Sequence, residues 1–184
     1  LATHVGDNTD HVQANRHALR TSLALPNTPQ WLEQTHSIDV INLDASNHRT
    51  GDGCFTNIPN TVIAILTADC LPILLFDERS HYIAGIHAGW RGLINGIIEA
   101  TVSTFTGHPS RLQAWLGPGI CQHCFEIDES IVHYFTNHYA YHAAFVKPGK
   151  PGHYQVSLAG FASEILSLLG VGLIHPSNYC TFEC

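Results

Sequence analysis

The stretch from Thr67 to Gly92, TADCLPILLFDERSHYIAGIHAGWRG, constrains this chain more than any other. Two apolar runs, Leu71 to Phe76 and Tyr82 to Ile86, flank the polar cluster DERSH, a pattern of two strands joined by a tight turn. If Asp77 and Ser80 close the turn around Glu78 and Arg79, the ladder sets Cys70 directly opposite His87. Directly opposed residues share a face with Cβ atoms roughly 4.5–5.5 Å apart, close enough for a thiolate and an imidazole to share one metal ion. A slip of one residue would put them on opposite faces.

Beyond His87 the sequence AGWRG leads into LINGIIEATVSTF, where Leu93, Ile94, Ile97, Ile98, Val102 and Phe105 recur at helical spacing. The helix is expected to begin near Gly92, with its positive end close to the Cys/His pair. Arg91 at that junction adds a permanent charge and a planar donor fork suited to phosphate. In a regular strand Asp69 points away from Cys70. It is read as a turn cap, a partner to a ligand or a catalytic group.

Three blocks, TADCLPILL, IAGIHAGWRGL and LGPGICQHCFEI, resemble the signatures of the YfiH/DUF152 family. It is also called the laccase-domain or polyphenol oxidoreductase family and, in another usage, purine nucleoside phosphorylase-like. The resemblance extends to THVGDNTDHVQANRHAL and to EQTH, so it spans nearly the whole chain. It implies an α+β fold, a layered α/β/β/α sandwich with mixed sheets, and a zinc site of three ligands falling on His36, Cys70 and His87. On residues alone His36 is an ordinary loop histidine. The family pattern also places an acidic residue at Asp52, for which a turn aspartate bonded to nearby backbone is the competing reading.

The implied activity is zinc-dependent phosphorolysis of adenosine, inosine and methylthioadenosine, with adenosine deaminase activity besides. Three protein ligands leave one position open, as in catalytic zinc sites. Cys70 and His87 could instead act as nucleophile and base without metal; the resemblance reaches proteins described as peptidoglycan editing factors, which suits such a hydrolase. Copper-dependent polyphenol oxidation, the laccase reading, relies on clustered imidazoles, often in His-x-His pairs. None of the 14 histidines stands two residues from another. Copper remains the other metal a His/Cys site would take up.

Composition narrows the partners. A net charge of −7 with 8 Lys and Arg lacks the basic stripe that a nucleic-acid backbone demands. Charged residues are 12% of the chain and apolar ones 45%, consistent with one well-filled catalytic domain over residues 1–184. The expected partners are a small nucleoside and phosphate, with no nucleic acid and no membrane. The longest apolar stretches are interrupted by Asp69 and Glu164 and fall short of the roughly 18 residues of a membrane span. The cytoplasm is the expected compartment, since Cys70 must stay reduced to bind metal. The chain lacks Met and stops inside the strand-like NYCTFEC, so further residues are expected at both ends.

Elsewhere, His11 to Leu23 reads as a helix capped by Asp10, Asp128 as the cap of a helix from Ile131 to His138, and Ser157 as the start of a helix from Leu158 to Leu169. Cys54 reads as buried filler. Cys121, His123 and Cys124 suggest a second metal site, but a CxxC without a second pair is weak support for a four-ligand zinc.

Overall fold

The computed structural model describes residues 1–138 and 142–183. In chain order the elements are helix α1 (Thr9–Ser22), strands β1 (Gln30–Trp31), β2 (Val40–Asn42), β3 (Gly53–Thr56), β4 (Ile63–Ala64), β5 (Leu71–Asp77) and β6 (Tyr82–Ala88), helices α2 (Trp90–Asn95) and α3 (Ile97–Ser103), and strands β7 (Gln113–Leu116) and β8 (Glu126–Asp128). Helices α4 (Glu129–His138) and α5 (His142–Phe145), strands β9 (Val146–Pro148) and β10 (His153–Val156), helix α6 (Leu158–Leu168) and strand β11 (Leu173–Pro176) complete the described part. The main sheet has six strands in the order β11-β7-β5-β6-β3-β2. Its outer pairs β11/β7 and β2/β3 are parallel and its central pairs antiparallel. Strands β8, β10 and β9 form a separate antiparallel sheet, and β1 pairs with β4 in parallel.

The anticipated hairpin forms, with a different register. Asp77 pairs with Tyr82, and Pro72, not Cys70, stands opposite His87. The connection takes four residues because the Asp77 carboxylate accepts hydrogen bonds from both the amide and the hydroxyl of Ser80, while His81 adopts a left-handed backbone at φ 56°. Aspartate stabilises such turns through its side chain. The displacement is two residues, so parity is kept: a strand repeats every two residues, and Cys70 keeps the facing that a one-residue slip would have lost.

Leu71, Ile73 and Leu75 of β5, with Ala84 and Ile86 of β6, face the helices and form one buried cluster with Leu93, Ile97, Ile98, Phe161 and Ile165. Each such fully buried aliphatic side chain contributes roughly 1.5–3 kcal/mol. On the opposite face the β4 segment covers β6, approaching so closely that a Cβ at Gly85 would lie 2.7 Å from Ile63 and 2.9 Å from Ile65, while Leu74 of β5 and Trp115 of β7 stay exposed. Strand β1 lies beside β4, and α1 reaches it through Arg16, whose guanidinium sits 4.2 Å over the Trp31 ring. The layers are therefore helices, large sheet, small sheet and helix, the α/β/β/α sandwich with mixed sheets implied by the resemblance.

Three local expectations change. Helix α1 starts at Thr9 and is capped by Asn8, whose side chain accepts from the amides of Asp10 and His11. Asp10 falls in the first turn, where a negative charge suits the helix dipole. The helix expected from Gly92 begins at Trp90 and is split by Gly96 at φ 100°, which caps α2 and opens α3. The NYCTFEC tail makes a single bridge between Cys180 and Gly119 and then turns, in place of a strand. Asp128 and Ser157 stand at the helix starts as anticipated, accepting from the amides of Ser130 and Gly160.

Candidate metal centre

His87 lies on β6, on the sheet face opposite the helices, and is 5% exposed. The ladder between β3 and β6 sets Gly53 beside Ile86, so Asp52, one residue earlier, falls beside His87, and its carbonyl accepts the His87 amide at 2.7 Å. Its carboxylate meets the imidazole Nδ1 at 2.8 Å. Asp52 is fully buried. Burial pushes its carboxyl up, but hydrogen bonds from His87, Ser37 and Thr35 outweigh that and hold it well below the usual carboxylate range. An ionised carboxylate only accepts, so the shared proton sits on Nδ1, and Nε2 is the nitrogen that gives up its proton when a metal binds.

The same carboxylate positions His36. The backbone there is left-handed, φ 61°, a conformation uncommon for a non-glycine residue and held only when its surroundings over-determine it. The amides on either side, of Thr35 and Ser37, both donate to Asp52 Oδ2, at 3.0 and 2.6 Å, and the Ser37 hydroxyl adds a third bond at 2.9 Å. Gln34 ties this bend to the segment before Cys70: its side chain bonds both the amide and the carbonyl of Leu66.

His36, Cys70 and His87 converge, with one donor atom from each lying within 4.8 Å of the others. Cys70 Sγ is 3.9 Å from His36 Nε2, and the two rings meet edge to face with centroids 4.8 Å apart. Zinc bonds of about 2.0–2.1 Å to nitrogen and 2.3 Å to sulfur need only a small contraction of this arrangement. Room for it comes from Gly89: a Cβ there would stand 2.8 Å from His36 Cδ2 and 3.1 Å from Cys70 Sγ. Burial, then the neighbouring His87, lower the pKa of His36, with Arg91 adding to the effect, so this imidazole is biased toward the neutral form that binds metal. The trio opens into a cleft of about 480 Å³ lined also by Leu1, His4, Val5 and Gln34, within the usual range of small-molecule sites.

Arg91 is exposed on the first turn of α2, its guanidinium 4.3 Å over the Trp90 ring, and its charge is felt at His36. Asp69 is exposed and stands apart from the trio at φ 74°. Its carboxylate accepts from Thr181 Oγ1 at 2.7 Å and its carbonyl from the Ile120 amide at 2.8 Å. It thus anchors the Cys70 segment to the loops after β7 and β11. Cys54 is fully buried, and burial raises its thiol to about 12, which makes it inert packing. The role of Asp52, which bonds the His87 ring and the two amides flanking His36, is the feature that motif spacing left open.

Three convergent Cys/His ligands with a carboxylate behind one of them, in a cleft beside a sheet, have the composition of a catalytic metal centre. A family model described as multi-copper polyphenol oxidoreductase laccase matches residues 1–184, and the chain belongs to that family. Among its relatives is a protein named purine nucleoside phosphorylase YfiH in Escherichia coli strain K12, 39% identical over 185 residues, covering 99% of this chain and 75% of the relative. A Haemophilus influenzae protein named purine nucleoside phosphorylase is 38% identical over 189 residues, covering 100% of this chain and 76% of its own length. A solved structure of a Neisseria meningitidis DUF152 protein superimposes with a TM-score of 0.91 at 32% identity, covering 98% of this chain and 75% of the other. Bacillus licheniformis YfiH, described as hypothetical, gives 0.92 at 25% identity over 98% of this chain and 74% of the other. Among the described residues no helix is long and apolar enough to cross a membrane.

Proposed function

We propose that this chain is a zinc-dependent purine nucleoside phosphorylase acting on adenosine, inosine and methylthioadenosine, with adenosine deaminase activity at the same site. The observation that carries the reading is the convergence of His36, Cys70 and His87 on one point of an open cleft, with Asp52 fixing the tautomer of His87 and Arg91 close by. The naming of relatives in Escherichia coli and Haemophilus influenzae supports the substrate class. Zinc held by the trio supplies Lewis acidity, polarising a substrate oxygen or acidifying water.

The chain's own residues do the rest. In phosphorolysis a phosphate oxygen attacks C1′ of the ribose as the bond to the purine nitrogen breaks. Arg91 holds the phosphate with its planar fork through charge-assisted hydrogen bonds. Gln34, His4 and the apolar residues Leu1, Val5 and Leu66 line the cleft that receives the nucleoside. Asp69 keeps Cys70 in place by its ties to Thr181 and Ile120. Deamination is a separate addition at the base: a water oxygen bonds to purine C6 as the bond from C6 to the amino nitrogen breaks and ammonia leaves.

The test incubates adenosine and inosine with and without phosphate and follows free base, ribose-1-phosphate and ammonia. Phosphate-dependent release of base and ribose-1-phosphate is the expected result; base release that ignores phosphate removes the phosphorylase reading. A second reading rests on the contact of Cys70 with both imidazoles: a metal-free Cys/His hydrolase. It predicts activity that survives chelation and is abolished by thiol alkylation. The copper oxidase reading predicts oxidation of phenols by the copper-loaded chain. The proposed account expects a copper ion in the trio to give no more than slow oxidation there, since the centre offers two imidazoles and one thiolate.

A further inference from the structure

A second group of soft donors lies at the other end of the Cys70 segment. After β7 the chain turns tightly through Cys121–Cys124, where the amides of Cys124 and Phe125 both bond the Cys121 carbonyl, at 3.1 and 3.0 Å. The turn after β11 comes alongside through the Gly119–Cys180 bridge and a bond from the Thr181 amide to the Gly119 carbonyl. Donor atoms of Cys121, Cys124, Cys180 and Glu183 all fall within 4.8 Å of one another. The Cys121 amide donates to Cys180 Sγ at 3.3 Å, and Glu183 Oε2 is 3.9 Å from Cys121 Sγ. The other oxygen of Glu183 is bonded to His123 Nε2.

We propose that Cys121, Cys124, Cys180 and Glu183 bind a second zinc ion, separate from the His36–Cys70–His87 centre and structural in role. A tetrahedral zinc with sulfur bonds near 2.3 Å sets adjacent sulfurs about 3.8 Å apart, a spacing that this cluster already approaches. Thiolates select zinc over harder divalent ions, and four protein ligands leave no open position for substrate. Each thiol gives up its proton to solvent on binding. The Cys121 amide steadies the charge on Cys180, and His123 orients the ligating carboxylate. None of the three sulfurs is held in a disulfide. The CxxC lacks a second pair only in the sequence: its partners come from the far end of the chain.

The consequence reaches the first centre. Thr181, between Cys180 and Glu183, bonds the Asp69 carboxylate, and Ile120, beside Cys121, bonds the Asp69 carbonyl. A zinc that locks these two turns together also fixes the residue preceding Cys70.

The experiment measures zinc per chain by elemental analysis on the full chain purified under reducing conditions, and maps alkylation of each cysteine by mass spectrometry with and without zinc. The expected result is two zinc ions per chain, falling to one in Cys124→Ser and in Cys180→Ser. Zinc should slow alkylation of Cys121, Cys124 and Cys180 by about tenfold or more in the unmutated chain, a readout that stands even if the variants fold poorly. A single zinc per chain that Cys124→Ser leaves in place, alkylation of these three thiols indifferent to zinc, or a disulfide among them in the reduced preparation would overturn the proposal. The alkylation map at these cysteines does not depend on whether the chain is a phosphorylase.

Discussion

Asp52→Asn isolates the reasoning about the first centre. The substitution keeps shape and volume in a fully buried position. The amides of Thr35 and Ser37 and the Ser37 hydroxyl all address Oδ2, so the single carbonyl oxygen of asparagine must take that place. Its NH2 group then faces His87 Nδ1. Two donors cannot share one bond, so the imidazole is driven to the tautomer with its proton on Nε2, the nitrogen needed by the metal. Loss of such an outer partner costs 10–100-fold in metal affinity, equivalent to about 1.4–2.7 kcal/mol. Asp52→Ala goes further and leaves the buried donors unpaired, at about 1–3 kcal/mol for each unsatisfied group. The assay is competition with a zinc chelator, paired with thermal unfolding of the metal-free proteins. Expected are a 10–100-fold weaker affinity of the first centre in Asp52→Asn with secondary structure retained, and a marked loss of stability in Asp52→Ala. Unchanged zinc affinity in a folded Asp52→Asn would refute the argument that Asp52 sets the tautomer.

Three further outcomes follow from the same geometry. Gly89→Ala inserts a methyl group 2.8 Å from the His36 ring and 3.1 Å from the Cys70 sulfur; zinc titration should show about tenfold or greater weakening, and the metal-free chain should lose about 1–3 kcal/mol of stability as the buried methyl group is accommodated. In the metal-free chain burial disfavours the His87 cation, but the bond to Asp52 and the Cys70 sulfur outweigh it and raise its pKa from 6.5 to about 9. The raised value means that His87 stabilises the fold fully below pH 6.5 and loses that contribution as pH climbs through about 9. The depressed Asp52 carboxyl stabilises above pH 3.8 and loses its contribution as pH falls below its folded pKa. Unfolding temperatures of the stripped chain should therefore decline between pH 6.5 and 9 while the increment from added zinc grows, and a flat profile that matches Asp52→Asn would contradict the pairing. Arg91→Ala should raise the KM for phosphate about 10–100-fold and affect deamination less; equal losses in both would show that Arg91 is not the anion site.

Local periodicity carried the hairpin, the helices after His87 and Ser157, and the separation of Cys70 and His87 by one turn. It did not carry the length of that turn, because the Asp77 to Ser80 bonds that lengthen it are side-chain chemistry. The longer turn leaves the site intact, since a two-residue shift preserves facing. The break at Gly96 was invisible against the apolar spacing of Ile94, Ile97 and Ile98. Only the resemblance points to His36, for its left-handed bend is enforced by amide bonds to Asp52, just ahead of β3. Sequence alone does not separate Asp52 from a turn aspartate, because its meaning depends on β3 lying beside β6, a pairing between segments separated by two other strands in the chain. Cys180 and Glu183 were hidden from the CxxC for the same reason. Cys184, the last residue of the NYCTFEC tail, lies outside the described residues.

The central claim is that His36, Cys70 and His87 hold a zinc ion on which phosphorolysis depends. It is tested most directly by measuring ribose-1-phosphate formed from inosine and phosphate by the purified chain, the chelator-stripped chain, the stripped chain returned to zinc, and Cys70→Ala. The account predicts that activity vanishes on stripping, returns with zinc, and stays absent in Cys70→Ala under every condition. Full phosphate-dependent turnover by the stripped chain, or by Cys70→Ala, would contradict it.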